Sequence, residues 1–162
     1  MVVCGYLAFL FSACVKPKEF SEIPYLEYRS ASISGMITNT GDTSLVLDLT
    51  FYFQDGDGDI GREDSEPILF FALAEKVSDS LYEQVYAVND TGGRFAIEYA
   101  YMLNPIEAVT ANGAVYGTMT WRMEEFGDIA REFQGRTIRL DIRLFDRQWQ
   151  KSNIIHSEDF RI

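Results

Sequence analysis

The sequence predicts an all-β fold, an antiparallel immunoglobulin-like β-sandwich of about seven to eight strands, and three observations predict it. Apolar and polar residues alternate in several separate stretches, turn residues punctuate them, and helical spacing appears only near 124–134. With 162 residues the chain is long enough for one domain with a proper core and too short for two ordinary ones. Hydrophobic residues make up 47% and aromatics 14%, enough apolar surface to offset the chain entropy lost on folding.

The elements follow in order. A less regular strand is expected over 26–37, then a turn at Asn39-Thr-Gly-Asp42. From Leu45 the alternation is strict: Leu45, Leu47, Leu49, Phe51 and Phe53 point one way, and Val46, Asp48, Thr50 and Tyr52 the other. A period of two means a strand with one buried face. Ile68 to Leu73 is continuously apolar after Pro67, which suits a central strand. Another strand is expected over 82–88, followed by the turn Asn89-Asp-Thr-Gly-Gly93 and the row Phe95, Ile97, Tyr99, Tyr101 and Leu103. After Asn112-Gly113 comes a row of Val115, Met119, Trp121 and Met123 with Gly117 between them. Phe126, Ile129, Ala130 and Phe133 then recur at helical spacing before Gly135. Ile138, Leu140, Ile142 and Leu144 form a last clear inward row, and a less regular strand closes the chain over 153–162.

The N-terminus is a different kind of text. Val2 to Cys14 is uncharged, apolar and ends in small residues, about the length of a signal-peptide core and shorter than the ~20 residues needed to span a bilayer. The alternative is a buried strand or helix. Phe11-Ser-Ala-Cys14 resembles the lipobox of bacterial lipoproteins, although Phe11 stands where leucine is usual and no Lys or Arg precedes the apolar run. On that reading 1–13 is the signal peptide, Cys14 is the lipidation site, 14–24 is a Pro-containing tether, and 25–162 is the sandwich. Cys4 then leaves with the signal and the Cys14 thiol becomes a thioether, so no thiol is left for disulfide, redox or zinc chemistry.

The most specific motif is Asp55-Gly-Asp-Gly-Asp-Ile-Gly61. Against the twelve-position calcium-loop template, Asp55, Asp57 and Asp59 fall at positions one, three and five, the Gly61 carbonyl at seven, Glu63 at nine and Glu66 at twelve. Carboxylates this close repel one another unless a cation or water screens them, and calcium prefers hard oxygen ligands. Magnesium, which needs near-octahedral geometry, suits the loop less. Ile60 breaks the template where glycine makes the sharp turn, and strand-like flanks exclude an EF-hand domain. The plainer alternative is a solvated acidic turn.

Asp146-Arg-Gln-Trp-Gln-Lys-Ser-Asn153 is the second polar cluster. If it shares an end of the sandwich with the acidic loop, Asp146 adds a ligand and Trp149 offers an aromatic face to a partner or a sugar. The preferred reading is that Asp146 pairs with Arg147 or Arg143 and Trp149 packs at the rim. His156, the only histidine, reads as an ordinary strand residue. The chain after Cys14 has no nucleophile elbow, metalloprotease motif, phosphate loop or Cys-x-x-Cys. With 25 acidic and 14 basic residues the net charge is -11, which repels nucleic acid.

Phe53-Gln-Asp-Gly-Asp-Gly-Asp-Ile-Gly61, the lipobox, the Pro-containing spacer and the late Asp146-Arg…Ser152-Asn153 segment together resemble a large group of uncharacterised envelope lipoproteins of Bacteroidota. The resemblance implies a cell-envelope location, periplasmic or surface-exposed, and a β-sandwich, without implying an activity. The expected function is a non-catalytic envelope module, held to the membrane through lipidated Cys14, with a structural calcium loop and with loops presented to a protein or glycan. The alternative is an accessory carbohydrate-active enzyme using a carboxylate pair.

Overall fold

The structure, a computed structural model, describes residues 19–162 apart from 38, 40, 65 and 108–112. The expected signal peptide, Cys14 and the tether through residue 18 lie outside the described residues. Along the described chain run β1 (Tyr25–Ile37), β2 (Thr43–Asp55), β3 (Leu69–Lys76), β4 (Tyr82–Gln84), β5 (Tyr86–Val88), β6 (Arg94–Ala96), β7 (Glu98–Tyr101), β8 (Val115–Met123), α1 (Phe126–Glu132), β9 (Thr137–Leu144), β10 (Ile155–His156) and β11 (Phe160–Arg161).

These strands form an antiparallel sandwich. One sheet has the order β1-β2-β8; the other has β9 and β3 at its centre, with β10 and β11 beside β9 and with β4 and β7 beside β3. This is the all-β, antiparallel sandwich architecture expected from the alternating stretches and turn residues. Hydrophobic periodicity sets each inward face. Leu47, Leu49, Phe51 and Phe53 of β2, Leu69, Phe71 and Leu73 of β3, and Ile138, Leu140, Ile142 and Leu144 of β9 join one core. Each such burial is worth about 1.5–3 kcal/mol. Truncating Phe71, which also meets Tyr101 edge-on at 5.5 Å, would cost about 3–5 kcal/mol.

The helical spacing near 124–134 is realised as α1. Phe126, Ile129 and Ala130, with Phe133 just beyond, turn one face into the core between β8 and β9. Asp128 in the first turn pairs with Arg131 in the last, each on the favourable side of the helix dipole.

Two expected strands are interrupted beside β3. The expected runs 82–88 and 95–103 are not continuous strands along β3: the chain leaves that edge at Val85 and returns at Ile97. Both anchors bond to Leu73, since the Val85 N-H donates to the Leu73 carbonyl at 2.9 Å and the Leu73 N-H to the Ile97 carbonyl at 3.0 Å. Between them β5 and β6 form a protruding hairpin, so Phe95 is 53% exposed, outside the inward row expected for it. Leu45 likewise is exposed, while Val46 is buried: the inward row begins at Leu47.

The end of β2, the start of β3 and the end of β9 lie at one end of the sandwich, with Leu69 opposite Leu144. The loop after β2 and the loop after β9 therefore share that end. Part of the expected tether reaches it too: Phe20 packs on Tyr116 at 5.1 Å, and the Gly56 N-H donates to the Ser21 carbonyl at 2.8 Å.

Candidate metal centre

Strand β2 carries its inward row one position past the apolar run. Asp55 follows Phe53 at the same parity and is 0% exposed. Strand β9 does the same in the opposite sheet, where Asp146 follows Leu144 at the same parity and is also 0% exposed. The period of two fixes direction whatever the residue type, so two carboxylates are carried into the end of the core.

After Asp55 the chain turns through Gly58 and Gly61, with φ of 71° and 90°. A Cβ on Gly58 would lie 1.9 Å from the Gly113 carbonyl oxygen, and one on Gly61 2.2 Å from that of Asn104. Both positions therefore demand glycine for space as well as for backbone angle. Ile60 between them is fully buried, and its carbonyl accepts from the Ile106 N-H at 3.2 Å. The position at which an EF-hand keeps glycine is here a hydrophobic anchor, and neighbouring glycines make the turns.

One carboxylate oxygen from each of Asp55, Asp57 and Asp59 lies within 4.8 Å of the other two, which is the spread expected around an ion with ~2.4 Å oxygen contacts. Asp55 Oδ2 accepts from the Asp59 N-H at 3.0 Å, and Asp57 Oδ2 from Gln148 Nε2 at 2.9 Å. The opposite oxygens are unmatched. Among the described residues seven buried side-chain nitrogen or oxygen atoms have no hydrogen-bond partner, and four are Asp55 Oδ1, Asp57 Oδ1, Asp59 Oδ1 and Asp146 Oδ2. An unpartnered buried polar group costs about 1–3 kcal/mol, and more when charged.

The electrostatics agree with that geometry. Burial first, then the neighbouring Asp57 carboxylate, pushes Asp55 up to about 7. Asp59 is raised by burial and then by the charge of Asp146. Asp146 is raised chiefly by burial, against the backbone N-H groups of Gln150 and Gln148 that favour its charged form.

The other residues expected as ligands have partners or exposure of their own. The Gly61 carbonyl accepts from Arg147 Nε at 2.7 Å, Glu66 pairs with Arg62 at 3.2 Å, and Glu63 is exposed. The structure thus brings the carboxylates of Asp55, Asp57 and Asp59 together, and those of Glu63 and Glu66 are not in that group. Nor does Asp146 pair with an arginine: Arg143 holds Glu98 at 2.8 Å, and Asp146 Oδ1 accepts from the Gln150 N-H at 2.7 Å. The signal that reveals Asp146 is the continued alternation from Ile138.

The remaining residues of that late motif are structural. Ser152 Oγ accepts from the Leu144 N-H at 3.0 Å. Asn153 Oδ1 accepts from the Leu26 N-H at 2.8 Å while its Nδ2 donates to the Leu26 carbonyl at 2.9 Å, completing the ladder as a strand would. Trp149 adopts φ of 63°, rare for a bulky residue, and is 49% exposed, with Arg62 5.2 Å over its ring and Phe145 edge-on at 5.8 Å. His156 binds Asp141 through Nδ1 at 2.7 Å, apart from the acidic cluster.

Beside Trp149 an open depression of about 470 Å³ is lined by Arg62, Glu63, Asp64, Pro105 and Arg147. Arg62 grips Asp64 with two hydrogen bonds of 2.7 and 2.6 Å and holds its carboxyl below the usual range. Comparison with protein-family models, curated proteins and solved structures finds no match.

Proposed function

We propose that this chain is a non-catalytic, cell-envelope lipoprotein module, in which the Asp55–Asp59 loop holds a structural calcium ion and the loops at that end of the sandwich are offered to a protein or glycan partner. The observation that carries the metal is the set of buried carboxylate oxygens without a donor. A hard cation within reach of Asp55, Asp57 and Asp59 would satisfy the loop carboxylates together, and water-rich magnesium fits a flexible carboxylate cluster less well. Lipid attachment rests on the apolar stretch ending at Cys14.

The enzymatic alternative needs a carboxylic acid of raised pKa facing a cleft. Among the described residues the carboxylates with raised pKa values are Asp55, Asp59 and Asp146, whereas Asp64 in the open depression is held in its charged form by Arg62. That contrast favours cation binding over proton transfer.

Two measurements test the proposal. Calorimetric titration of the full-length chain in detergent with calcium chloride should give saturable heat that Asp57→Asn together with Asp59→Asn removes; no heat from the unaltered chain would refute the metal. Mass spectrometry of membrane fractions should find an acylated Cys14 as the first residue, and Cys14→Ser should release the protein from the membrane.

A further inference from the structure

The geometry points to Asp146 as a fourth ligand, so that the cation bridges the loop after β2 and the loop after β9 instead of sitting within the acidic loop alone. This inference rests on the calcium reading and extends it. Asp146 is fully buried, and it leaves Oδ2 without any partner while Oδ1 is spent on the Gln150 N-H at 2.7 Å. Its direction is imposed by the alternation of β9, which points it into the core end that also receives Asp55.

Hydrogen bonds already join the two loops, although Asp146 lies outside the 4.8 Å group formed by Asp55, Asp57 and Asp59, so binding would have to draw the start of the loop after β9 inward. The Arg147 N-H donates to the Asp59 carbonyl at 3.2 Å, Arg147 Nε to the Gly61 carbonyl at 2.7 Å, and Gln148 Nε2 to Asp57 Oδ2 at 2.9 Å. The residues immediately after Asp146 are thus sewn to the residues that carry the other carboxylates. The charge of Asp146 is felt at Asp59, and that of Asp57 at Asp146. Four carboxylates would fill four of the six to eight oxygen positions calcium takes, and waters or second carboxylate oxygens the rest. Bridging has a consequence for the surface: Asp146 opens the turn in which the Trp149 N-H donates to the Asp146 carbonyl at 3.2 Å and Trp149 takes its left-handed φ, so the ion would hold the turn that displays the Trp149 ring.

Calcium titration of the full-length chain is compared with that of Asp146→Asn and of Asp141→Asn, a carboxylate on the same strand bonded to Arg139 and His156. Bridging predicts an affinity loss of roughly tenfold or more for Asp146→Asn, since ligand charge sets calcium affinity, and no change for Asp141→Asn. Hydrogen exchange on the unaltered chain, with calcium against chelator, removes any dependence on a variant that misfolds. Slowed exchange in both 55–61 and 146–150 is the expected result. Calcium binding with protection confined to 55–61, or with unchanged affinity in a folded Asp146→Asn, would overturn the bridge while leaving the acidic loop as a calcium site; no binding by the unaltered chain would overturn both.

Discussion

Asp55 and Asp146 hold equivalent places in two opposed strands: each is the next inward position after an apolar alternation, one after Phe53 and the other after Leu144, and both are 0% exposed. Two core stripes ending in carboxylate at the same end of a sandwich make a poor hydrophobic cap, and the arrangement becomes intelligible once a cation is given a place there. Stability and binding should therefore oppose each other at these residues.

Asp55→Asn is expected to raise the melting temperature of the protein in chelator, because it removes a buried charge and keeps the shape. The same variant should lose the melting response to calcium. Thermal melts of both proteins with and without calcium read both effects. A variant less stable than the parent in chelator would show that Asp55 is stabilising without metal.

Protonation should act in the same direction as that substitution. Asp55 has a folded pKa of about 7 against an ordinary 3.8. Between those values the folded state binds more protons than the unfolded state, so folding stability falls as pH rises through the window, by at most about 1.4 kcal/mol per pH unit, and levels off above it. In chelator the melting temperature should therefore decline from pH 5 to 7, and calcium should flatten or reverse the decline because the ion needs the ionised carboxylate. A melting temperature in chelator that climbs steadily across this range would contradict the assignment.

Gly58→Ala should destabilise whatever the metal content. Its Cβ would meet the Gly113 carbonyl at 1.9 Å with the backbone at φ 71°, a conformation costing an L-residue of order 1–3 kcal/mol before the clash is counted. The expected loss is several degrees of melting temperature. Gly92→Ala is the matched comparison, since it shares positive φ but has no atom within 4 Å of the added Cβ; equal losses would mean that crowding contributes nothing.

Asn153→Ala removes both hydrogen bonds to Leu26, a fully buried residue at the start of β1. Leaving that N-H and carbonyl unmatched should cost about 1–3 kcal/mol, seen as a lower denaturant midpoint, with calcium affinity unchanged. A large affinity loss would place Asn153 in the metal centre instead.

The sandwich was readable because periodicity is local. Alternation in 47–53 and 138–144 gave direction to every inward residue, and Phe126, Ile129, Ala130 and Phe133 announced the helix. The hairpin excursion between Val85 and Ile97 was not readable, because both of its anchors bond to Leu73, a pairing between residues far apart in sequence. For the candidate metal site, the Asp-Gly spacing led to Asp55, Asp57 and Asp59, but counting onward along the chain led to Glu63 and Glu66, which lie at the surface, Glu66 against Arg62. Template positions carry over only while the backbone follows the template, and the buried Ile60 takes it elsewhere. Asp146 needed knowledge of which strand ends meet.

The central claim is tested most directly by melting the full-length chain in chelator and then in calcium at about one hundred times its dissociation constant. Binding confined to the folded state adds about 2.7 kcal/mol there, which for a chain of this size raises the melting temperature by roughly 5–10 °C, and Asp57→Asn with Asp59→Asn should abolish the rise. Superimposable melts of the unaltered protein in chelator and in millimolar calcium would contradict the account.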